Sequence, residues 1–168
     1  MLGGAGYCEP LIQAAKQTGL TARLGATSQG CLTPAALQGA PKSLVKGVIQ
    51  TSDTSFFDTA SPDAETFHRV MKQYSAGAAN SASASVFSQM MTLEEIIDPL
   101  TDISGATVLA VMKTAHGHVF MGSQLDPTKP AAIGGVTTHV TNTGSRILGY
   151  DADLNYVDLN HNQWISGF

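Results

Sequence analysis

Short blocks of apolar residues in the first third of the chain predict strands and helices in turn. A strand is predicted from the first residue, followed by a glycine turn at residues 3–6 and a helix over Leu11–Thr18. Further strands are predicted at Ala22–Ala26 and Leu44–Thr51, with a short helix that opens at Thr33–Pro34 between them. Because strands and helices alternate, the pattern predicts a parallel α/β sheet built from βαβ units.

Helical periodicity dominates the middle of the chain. Three helices are predicted, and the first of them starts at Ser61-Pro62-Asp63. The positions expected to face inward are Phe67, Val70, Met71 and Tyr74 in the first helix, Val86, Met90, Leu93 and Ile97 in the second, and Val108, Leu109 and Met112 in the third. The second helix is expected to end before Pro99, and the third to span Gly105–Ala115.

After His118 the pattern changes to a C-terminal group of short strands. They are predicted at Val119–Leu125, Val136–Thr141, Ile147–Tyr150 and Asn155–Leu159. Turn-forming residues between them mark the connections.

Composition narrows the classes of function. The chain has 168 residues, of which 43% are hydrophobic and only 13% charged, with a net charge of −4. Its lysines and arginines are scattered, so the sequence predicts no basic patch of the kind that binds nucleic acid. The apolar stretches fall far short of the roughly 20 residues that span a bilayer. A buried parallel strand needs neighbours and a covering layer; a strand at the first residue therefore predicts that the chain is a piece of a larger protein, whose signal peptide it lacks.

Candidate catalytic and metal-binding residues form no convincing group. His116, His118 and His139 have no evident carboxylate partner, so a solvated loop is favoured over a metal site. Adjacent glutamates such as Glu94 and Glu95 point about 100° apart on a helix, which favours a solvated face over an acid–base pair. No serine stands in a G-x-S-x-G turn. The sequence therefore predicts no enzyme, no metal and no cofactor.

Several segments taken together resemble one protein family. They are Gly3–Gly6, Ile12–Leu20, Lys46–Ile49, Phe67–Tyr74, Val86–Ile97 and Val119–Pro127. In this combination the chain resembles the C-terminal half of type I periplasmic solute-binding proteins, the bilobed receptors of ABC importers. The branch it resembles is the one that includes the leucine/isoleucine/valine-binding proteins.

The resemblance implies the fold and its division into lobes. It implies an α/β chain with the parallel-sheet βαβ units of a type I periplasmic-binding-protein fold, incomplete, and with a C-terminal group of short strands. Residues 1–45 and 130–168 would be segments of the C-terminal lobe, and residues 46–125 a segment of the N-terminal lobe whose first part is missing. Residues 126–129 would form the crossover.

The resemblance also implies where the ligand binds. The implied contacts are Ala5, Gly6 and Tyr7 in one loop, Thr27, Ser28 and Gln29 in a second, and Ser83 on the hinge side. Amino-acid binders of the family hold an acidic residue where Thr27 or Ser28 stands, and a buried ammonium without a counter-charge is costly. The missing carboxylate argues against a plain aliphatic amino acid. Aromatic residues are also missing around Ser81–Ser85, so the identity of the ligand stays open.

The two cysteines gain a meaning from the same resemblance. Neither Cys8 nor Cys31 belongs to a CxxC pair, and the sequence alone leaves buried thiols and a disulfide open. In the family's arrangement both would follow neighbouring parallel strands at one edge of the sheet, within reach of a disulfide. An exported protein meets an oxidising compartment. We therefore expect a Cys8–Cys31 disulfide and an extracytoplasmic location, in the periplasm or at the cell surface.

The function that the resemblance implies is solute capture without catalysis. The expected partners are a small-molecule ligand and the ABC permease in the membrane, and exposed edges of an incomplete fold favour a homodimer. Two alternatives remain open at this point. The same fold could serve as the ligand-sensing domain of a signalling receptor, or the chain could be a fragment of an α/β enzyme.

Overall fold

The computed structural model divides into two compact units. Unit 1 comprises Met1–Ser52 and Arg146–Gln163, and unit 2 comprises Asp53–Ser145 and Trp164–Phe168. The structure describes residues 5–20, 23–26, 32–75, 77–126, 132–133, 136–137 and 144–166, and within these ranges it describes the backbone alone for residues 5–9, 132–133, 136–137 and 166. Each unit is thus assembled from separated segments of the chain.

The elements of the described residues follow one another in the order α1, β1, α2, α3, β2, α4, α5, α6, β3, β4, β5, β6, β7. The helices are α1 (Ala5–Thr18), α2 (Pro34–Leu37), α3 (Lys42–Lys46), α4 (Pro62–Tyr74), α5 (Ser81–Ile97) and α6 (Gly105–Met112). The strands are β1 (Leu24–Ala26), β2 (Val48–Ser52), β3 (Ala132–Ile133), β4 (Val136–Thr137), β5 (Gly144–Tyr150), β6 (Tyr156–Asp158) and β7 (Ile165–Ser166).

The sheet of unit 1 is mixed: the predicted parallel βαβ pair is present, and antiparallel strands of the C-terminal group continue the sheet. Its strand order is β1-β2-β5-β6. Strands β1 and β2 are parallel, with Leu24 opposite Val48, as the βαβ pattern predicts. Strand β5 runs antiparallel to β2, and β6 runs antiparallel to β5. The short Asp151–Asn155 connection explains the last pairing, because only antiparallel neighbours can be joined by so tight a turn.

The core of unit 1 lies where the first helices cover this sheet. Its buried members are Ile12, Leu32, Leu37, Val45, Val48 and Tyr150. Thr33 caps α2 by accepting a hydrogen bond from the amide of Ala36 at 3.1 Å, which confirms the helix start read at Thr33–Pro34. The ammonium of Lys16 donates to the carbonyl of Gln38 at 2.9 Å and so ties α1 to the end of α2.

Two boundaries in unit 1 differ from the predicted ones. The strand predicted over Leu44–Thr51 starts at Val48, because Pro41 opens a helical turn that runs through Lys46 and places Leu44 in the core. Helix α1 begins at Ala5 rather than Leu11 and includes Pro10. Pro10 is the sixth residue of α1 and cannot donate the backbone hydrogen bond of its position, but its fixed φ is compatible with the helix, which continues through it.

All three predicted helices of unit 2 are present, but α5 buries the opposite face from the predicted one. Val86 and Met90 are 62% and 64% exposed. The buried positions are the small residues Ser81, Ala84, Ser85 and Ser88. Large side chains were expected to face inward on an amphipathic helix. Small side chains occupy the buried face because they let neighbouring backbone approach the helix closely.

Three more large side chains of unit 2 are exposed, although they were expected to be buried. Leu109 and Met112 of α6 are exposed, and so is Tyr74 at the end of α4, although all three were expected to face inward. Buried Phe67 instead contacts Phe87, with ring centroids 5.5 Å apart, and Phe87 contacts Phe120 at 5.6 Å. The core of unit 2 is therefore built around aromatic rings.

The predicted strand over Val119–Leu125 is absent. Its place is taken by a loop that Gly117 and Leu125 close with two backbone hydrogen bonds of 2.9 and 3.1 Å. Strands β3 and β4 pair antiparallel, within the region where short strands were predicted. The first two residues of β5, Gly144 and Ser145, pair with β7.

Candidate functional site

The predicted contacts Ala5, Gly6 and Tyr7 lie in the first turn of α1, not in a loop after a strand. Residues 1–4, where that strand was predicted, lie outside the described part of the chain. A first helical turn carries backbone N–H groups without intrahelical partners, which can bind anionic or carbonyl groups. These residues therefore belong to the start of a helix and not to a turn. Their contact with a ligand stays a prediction.

The second predicted loop follows β1 directly. Thr27, Ser28 and Gln29 lie outside the described residues, as does Cys31, and of Cys8 only the backbone is described. The predicted Cys8–Cys31 disulfide therefore stays a prediction. Because β1 and β2 are parallel, their carboxyl ends meet at one edge of the sheet, where open α/β sheets bind ligands.

Ser83 has a structural role at the start of α5. Its hydroxyl accepts a hydrogen bond from the amide of Asn80 at 3.0 Å and donates to the carbonyl of Ala78 at 2.5 Å. The Asn80 side chain accepts in return from the amide of Ser83 at 3.1 Å. This reciprocal arrangement is a capping box, which stabilises a helix N-terminus. These hydrogen bonds do not test the predicted contact of Ser83 with a ligand, which stays a prediction.

A row of serines lines the buried face of α5. Ser85 donates to both carboxylate oxygens of Asp53, at 2.8 and 3.0 Å. Ser88 donates to the carbonyl of Phe120. Asp53 itself is exposed and directly follows the end of β2. Sequence reasoning missed this carboxylate because its partner lies on a helix 32 residues further along the chain.

A buried polar network crosses unit 1 beside the candidate edge. The Tyr150 hydroxyl donates to the carbonyl of Leu32 at 2.5 Å and accepts from the side-chain amide of Gln50 at 3.1 Å. Burial and the neighbouring Tyr156 raise the pKa of Tyr150 well above its usual value of 10.0. The phenol therefore stays neutral and acts as a hydrogen-bond bridge, since a buried unpaired hydroxyl would be costly.

An ion pair closes the other end of β5. Buried Arg146 donates to the carboxylate of Asp158 at 2.5 Å and to the side-chain oxygen of Asn162 at 2.7 Å. Burial alone would raise the pKa of Asp158, but the backbone of Asn162 and the Arg146 guanidinium hold it below the usual 3.8. The pair fixes the start of the C-terminal strands rather than opening a binding surface.

His118 of unit 2 lies in an exposed loop, as the sequence predicted, but it also pairs with two carboxylates. Its Nε2 lies 2.8 Å from Oδ2 of Asp63, and its Nδ1 lies 3.1 Å from Oε2 of Glu95. The carboxylate partners that the sequence did not reveal come from α4 and α5. Because the two carboxylates flank the ring on different sides, they form an ion-pair cluster rather than a set of ligands that converges on one point.

The described residues contain neither a cluster of metal ligands nor a helix that could cross a membrane. No group of three or more histidine, cysteine, aspartate or glutamate residues among them is arranged to hold a metal ion. Within the same part of the chain, no helix combines the length and the hydropathy that crossing a bilayer requires.

Comparison with solved structures identifies the fold. A possible leucine/isoleucine/valine-binding protein from Rhodopirellula baltica SH 1 matches 99% of this chain with a TM-score of 0.69 at 19% identity. A fatty acid ABC transporter substrate-binding protein from Thermomonospora curvata matches 98% of it with a TM-score of 0.62 at 15% identity. A branched chain amino acid ABC transporter from Thermus thermophilus with bound valine matches 95% of it with a TM-score of 0.62 at 14% identity.

The match covers only part of those proteins. The chain spans 43%, 42% and 43% of their respective lengths. No family model matches the sequence, and neither does any curated protein. At these identities the likeness concerns the fold, which is that of ABC-transporter substrate-binding proteins over less than half of their length.

Proposed function

We propose that this chain is part of an extracytoplasmic solute-binding protein of an ABC importer. In this role it captures a small polar ligand, such as an amino acid or a related compound, by closing two lobes around it, and delivers the ligand to a membrane permease without catalysing a reaction. The observation that carries the proposal is the fold, because the solved structures that match the chain are substrate-binding proteins of such transporters.

In the proposal one lobe is built from two separated segments of this chain and the other from one. We assign residues 1–45 and 130–168 to one lobe, residues 46–125 to the other, and residues 126–129 to a crossover. Closure would be stabilised by contacts that form only when both lobes touch the ligand. The compact units overlap with this assignment for residues 1–45 and 146–163 in one lobe and 53–125 in the other, but they divide residues 46–52, 130–145 and 164–168 differently.

The ligand site of the proposal lies at the carboxyl edge of β1 and β2. Thr27, Ser28 and Gln29 follow β1 and offer hydroxyl and amide groups to a polar ligand. The amides of Ala5–Tyr7 add backbone donors from the start of α1, where a carboxylate is favoured by the helix dipole. A ligand with a carboxylate group suits such donors, whether or not it also carries an ammonium group.

A binding screen on the 168-residue chain tests the proposal and its ligand class together. The probes are L-valine, L-leucine and hexanoate, each at millimolar concentration, followed by thermal unfolding and titration calorimetry. At least one probe is expected to raise Tm, with a shift that grows with the logarithm of its excess over Kd. Binding of hexanoate but not valine would identify a carboxylate site that lacks a partner for an ammonium.

A pair of glutamine variants links the binding to the proposed edge. Gln29→Ala is expected to weaken binding of the active probe by about fivefold, because it removes a hydrogen bond worth on the order of 1 kcal/mol. Gln17→Ala makes the same change at an exposed position of α1 and is expected to leave Kd unchanged. Failure of every probe to bind, or equal effects of the two variants, would contradict the proposal.

A further inference from the structure

His118 lies in a loop whose position is set by several contacts within unit 2. The paired backbones of Gly117 and Leu125 close the loop. The amide of Phe120 donates to the hydroxyl of Thr92 at 2.9 Å, and the carbonyl of Met121 accepts from the amide of Ser55 at 2.7 Å. The imidazole of His118 is therefore held at a defined place between α4 and α5.

The two helices present one carboxylate each to this ring. Asp63 reaches Nε2 from the first turn of α4 at 2.8 Å, and Glu95 reaches Nδ1 from the last turn of α5 at 3.1 Å. Thr92 and Ser88, which also bond the loop from α5, do not titrate. The charged groups that act on the ring from the helices packed against it are thus Asp63 and Glu95.

Only a protonated ring satisfies both contacts. A neutral imidazole has one N–H, so one of its nitrogens would turn a lone pair towards a carboxylate oxygen. The protonated ring has two N–H groups, so it donates to both carboxylates, and its positive charge attracts their negative charges. The geometry therefore selects the charged form of His118.

We propose that His118 is a proton-operated clamp that ties α4 to α5 in unit 2. In the protonated state it holds the carboxylates of Asp63 and Glu95 on either side of the loop. When the proton leaves, one of the two bonds is lost, and α4 and α5 stay joined by the remaining loop contacts and by the contact between Phe67 and Phe87.

The contact to Glu95 is the one that deprotonation releases. The Glu95 carboxylate is 45% exposed and lies at the longer distance, so water can replace the ring. Asp63 is 23% exposed and also accepts a hydrogen bond from the amide of Met121 at 2.8 Å, which holds it in place. Met121 adopts a left-handed φ of 54°, which its surroundings must maintain because few non-glycine residues adopt it freely.

The balance of environments around His118 agrees with the clamp. Partial burial lowers the pKa of His118, but hydrogen bonds to Glu95 and Asp63 and their negative charges outweigh it and raise the pKa above 6.5. A histidine with a raised pKa stabilises the fold fully below the unfolded value of 6.5. That contribution is lost as the pH rises through the folded pKa.

Titration of His118 by nuclear magnetic resonance tests the clamp directly. The wild-type ring is expected to titrate above pH 6.5, and Glu95→Gln is expected to lower its pKa. Glu94→Gln removes the same charge from the neighbouring position of α5, which points elsewhere, and serves as the matched control with a smaller effect. A wild-type pKa at or below 6.5, or equal shifts in the two variants, would overturn the proposal.

A stability measurement provides the second readout. The urea midpoint of the wild type is expected to be lower at a pH above the measured pKa of His118 than at a pH below 6.5. His118→Gln is expected to remove most of that difference. An unchanged pH dependence in His118→Gln would overturn the clamp. The wild-type titration decides the proposal by itself if a variant does not fold.

Discussion

The hydroxyl of Tyr150 joins segments that lie far apart in the chain. It bridges the carbonyl of Leu32 and the amide of Gln50, which are 118 and 100 residues away. Nothing in the local sequence predicts this bridge, because the spacing of apolar residues predicts only that Tyr150 belongs to a strand. The polar partner of a buried tyrosine is chosen by the packing of the sheet.

Removal of this hydroxyl is expected to destabilise unit 1. Tyr150→Phe leaves the Leu32 carbonyl and the Gln50 amide buried with one partner fewer, at a cost of about 1–3 kcal/mol in the free energy of unfolding. Urea denaturation monitored by circular dichroism measures it. Tyr74→Phe is the control, because Tyr74 is 76% exposed and its hydroxyl bonds only at the surface. Equal losses in both variants would contradict a role for the buried bridge.

At the scale of one element, the presence of helix α5 could be predicted from the sequence, but its buried face could not. Its existence was predicted from the spacing of Val86, Met90 and Leu93, and the helix is present over Ser81–Ile97. Its buried face was predicted wrongly, since three serines and an alanine on the other side are buried, and one of them, Ser88, bonds the carbonyl of Phe120. Helical periodicity is a local property, whereas the choice of face depends on what the helix packs against.

The capping box of α5 allows a test at the same scale. Asn80→Ala removes the side chain that accepts from the amides of Ala82 and Ser83, and it is expected to lower the free energy of unfolding by about 1 kcal/mol. Ser61 occupies the corresponding position of α4, but its side chain makes no capping hydrogen bond.

Ser61→Ala is therefore the matched control and is expected to change the free energy of unfolding by a few tenths of a kcal/mol, as ordinary surface substitutions do. Thermal or urea unfolding of both variants under one condition provides the comparison. A cost for Ser61→Ala as large as that for Asn80→Ala would contradict the interpretation.

The whole chain has the fold of substrate-binding proteins over less than half of their length. A likeness in spacing alone pointed to that fold, and the solved structures from Rhodopirellula baltica SH 1 and Thermus thermophilus share it. The amino-acid identity is 19% and 14%, so few side chains are common to both. The agreement therefore comes from the order of elements and not from motif residues.

Exposed apolar side chains of unit 2 bear on the predicted homodimer, which remains a prediction. Val86, Met90, Leu109 and Met112 are all exposed. If two copies associate through α5 and α6, Met90→Lys is expected to shift the chain from dimer to monomer in size-exclusion chromatography with light scattering. Burying an unpaired ammonium at such a contact would be costly.

Leu159→Lys is the control for this experiment, because Leu159 is an exposed apolar residue of unit 1. It is expected to leave the dimer intact. A wild-type chain that stays monomeric over the accessible concentration range would contradict self-association.

The sequence by itself determined most of the helices, the strands β1 and β2, and their order. The proline and threonine that start α2, the spacing along α4 and α5, and the strand–helix–strand rhythm around β1 and β2 are all local signals, because helix period and capping involve residues only three or four positions apart. From them the α/β class and the likeness to solute-binding proteins could be predicted.

Tertiary structure alone decided how those elements pair and which groups meet. It determined the antiparallel β5, the small-residue face of α5 and the pairing of His118 with Asp63, 55 residues away. Each of these depends on the free energy of contacts between distant segments, which compete with one another for the same core and the same hydrogen-bond partners. The spacing of residues within one segment does not reveal which distant segments it will contact.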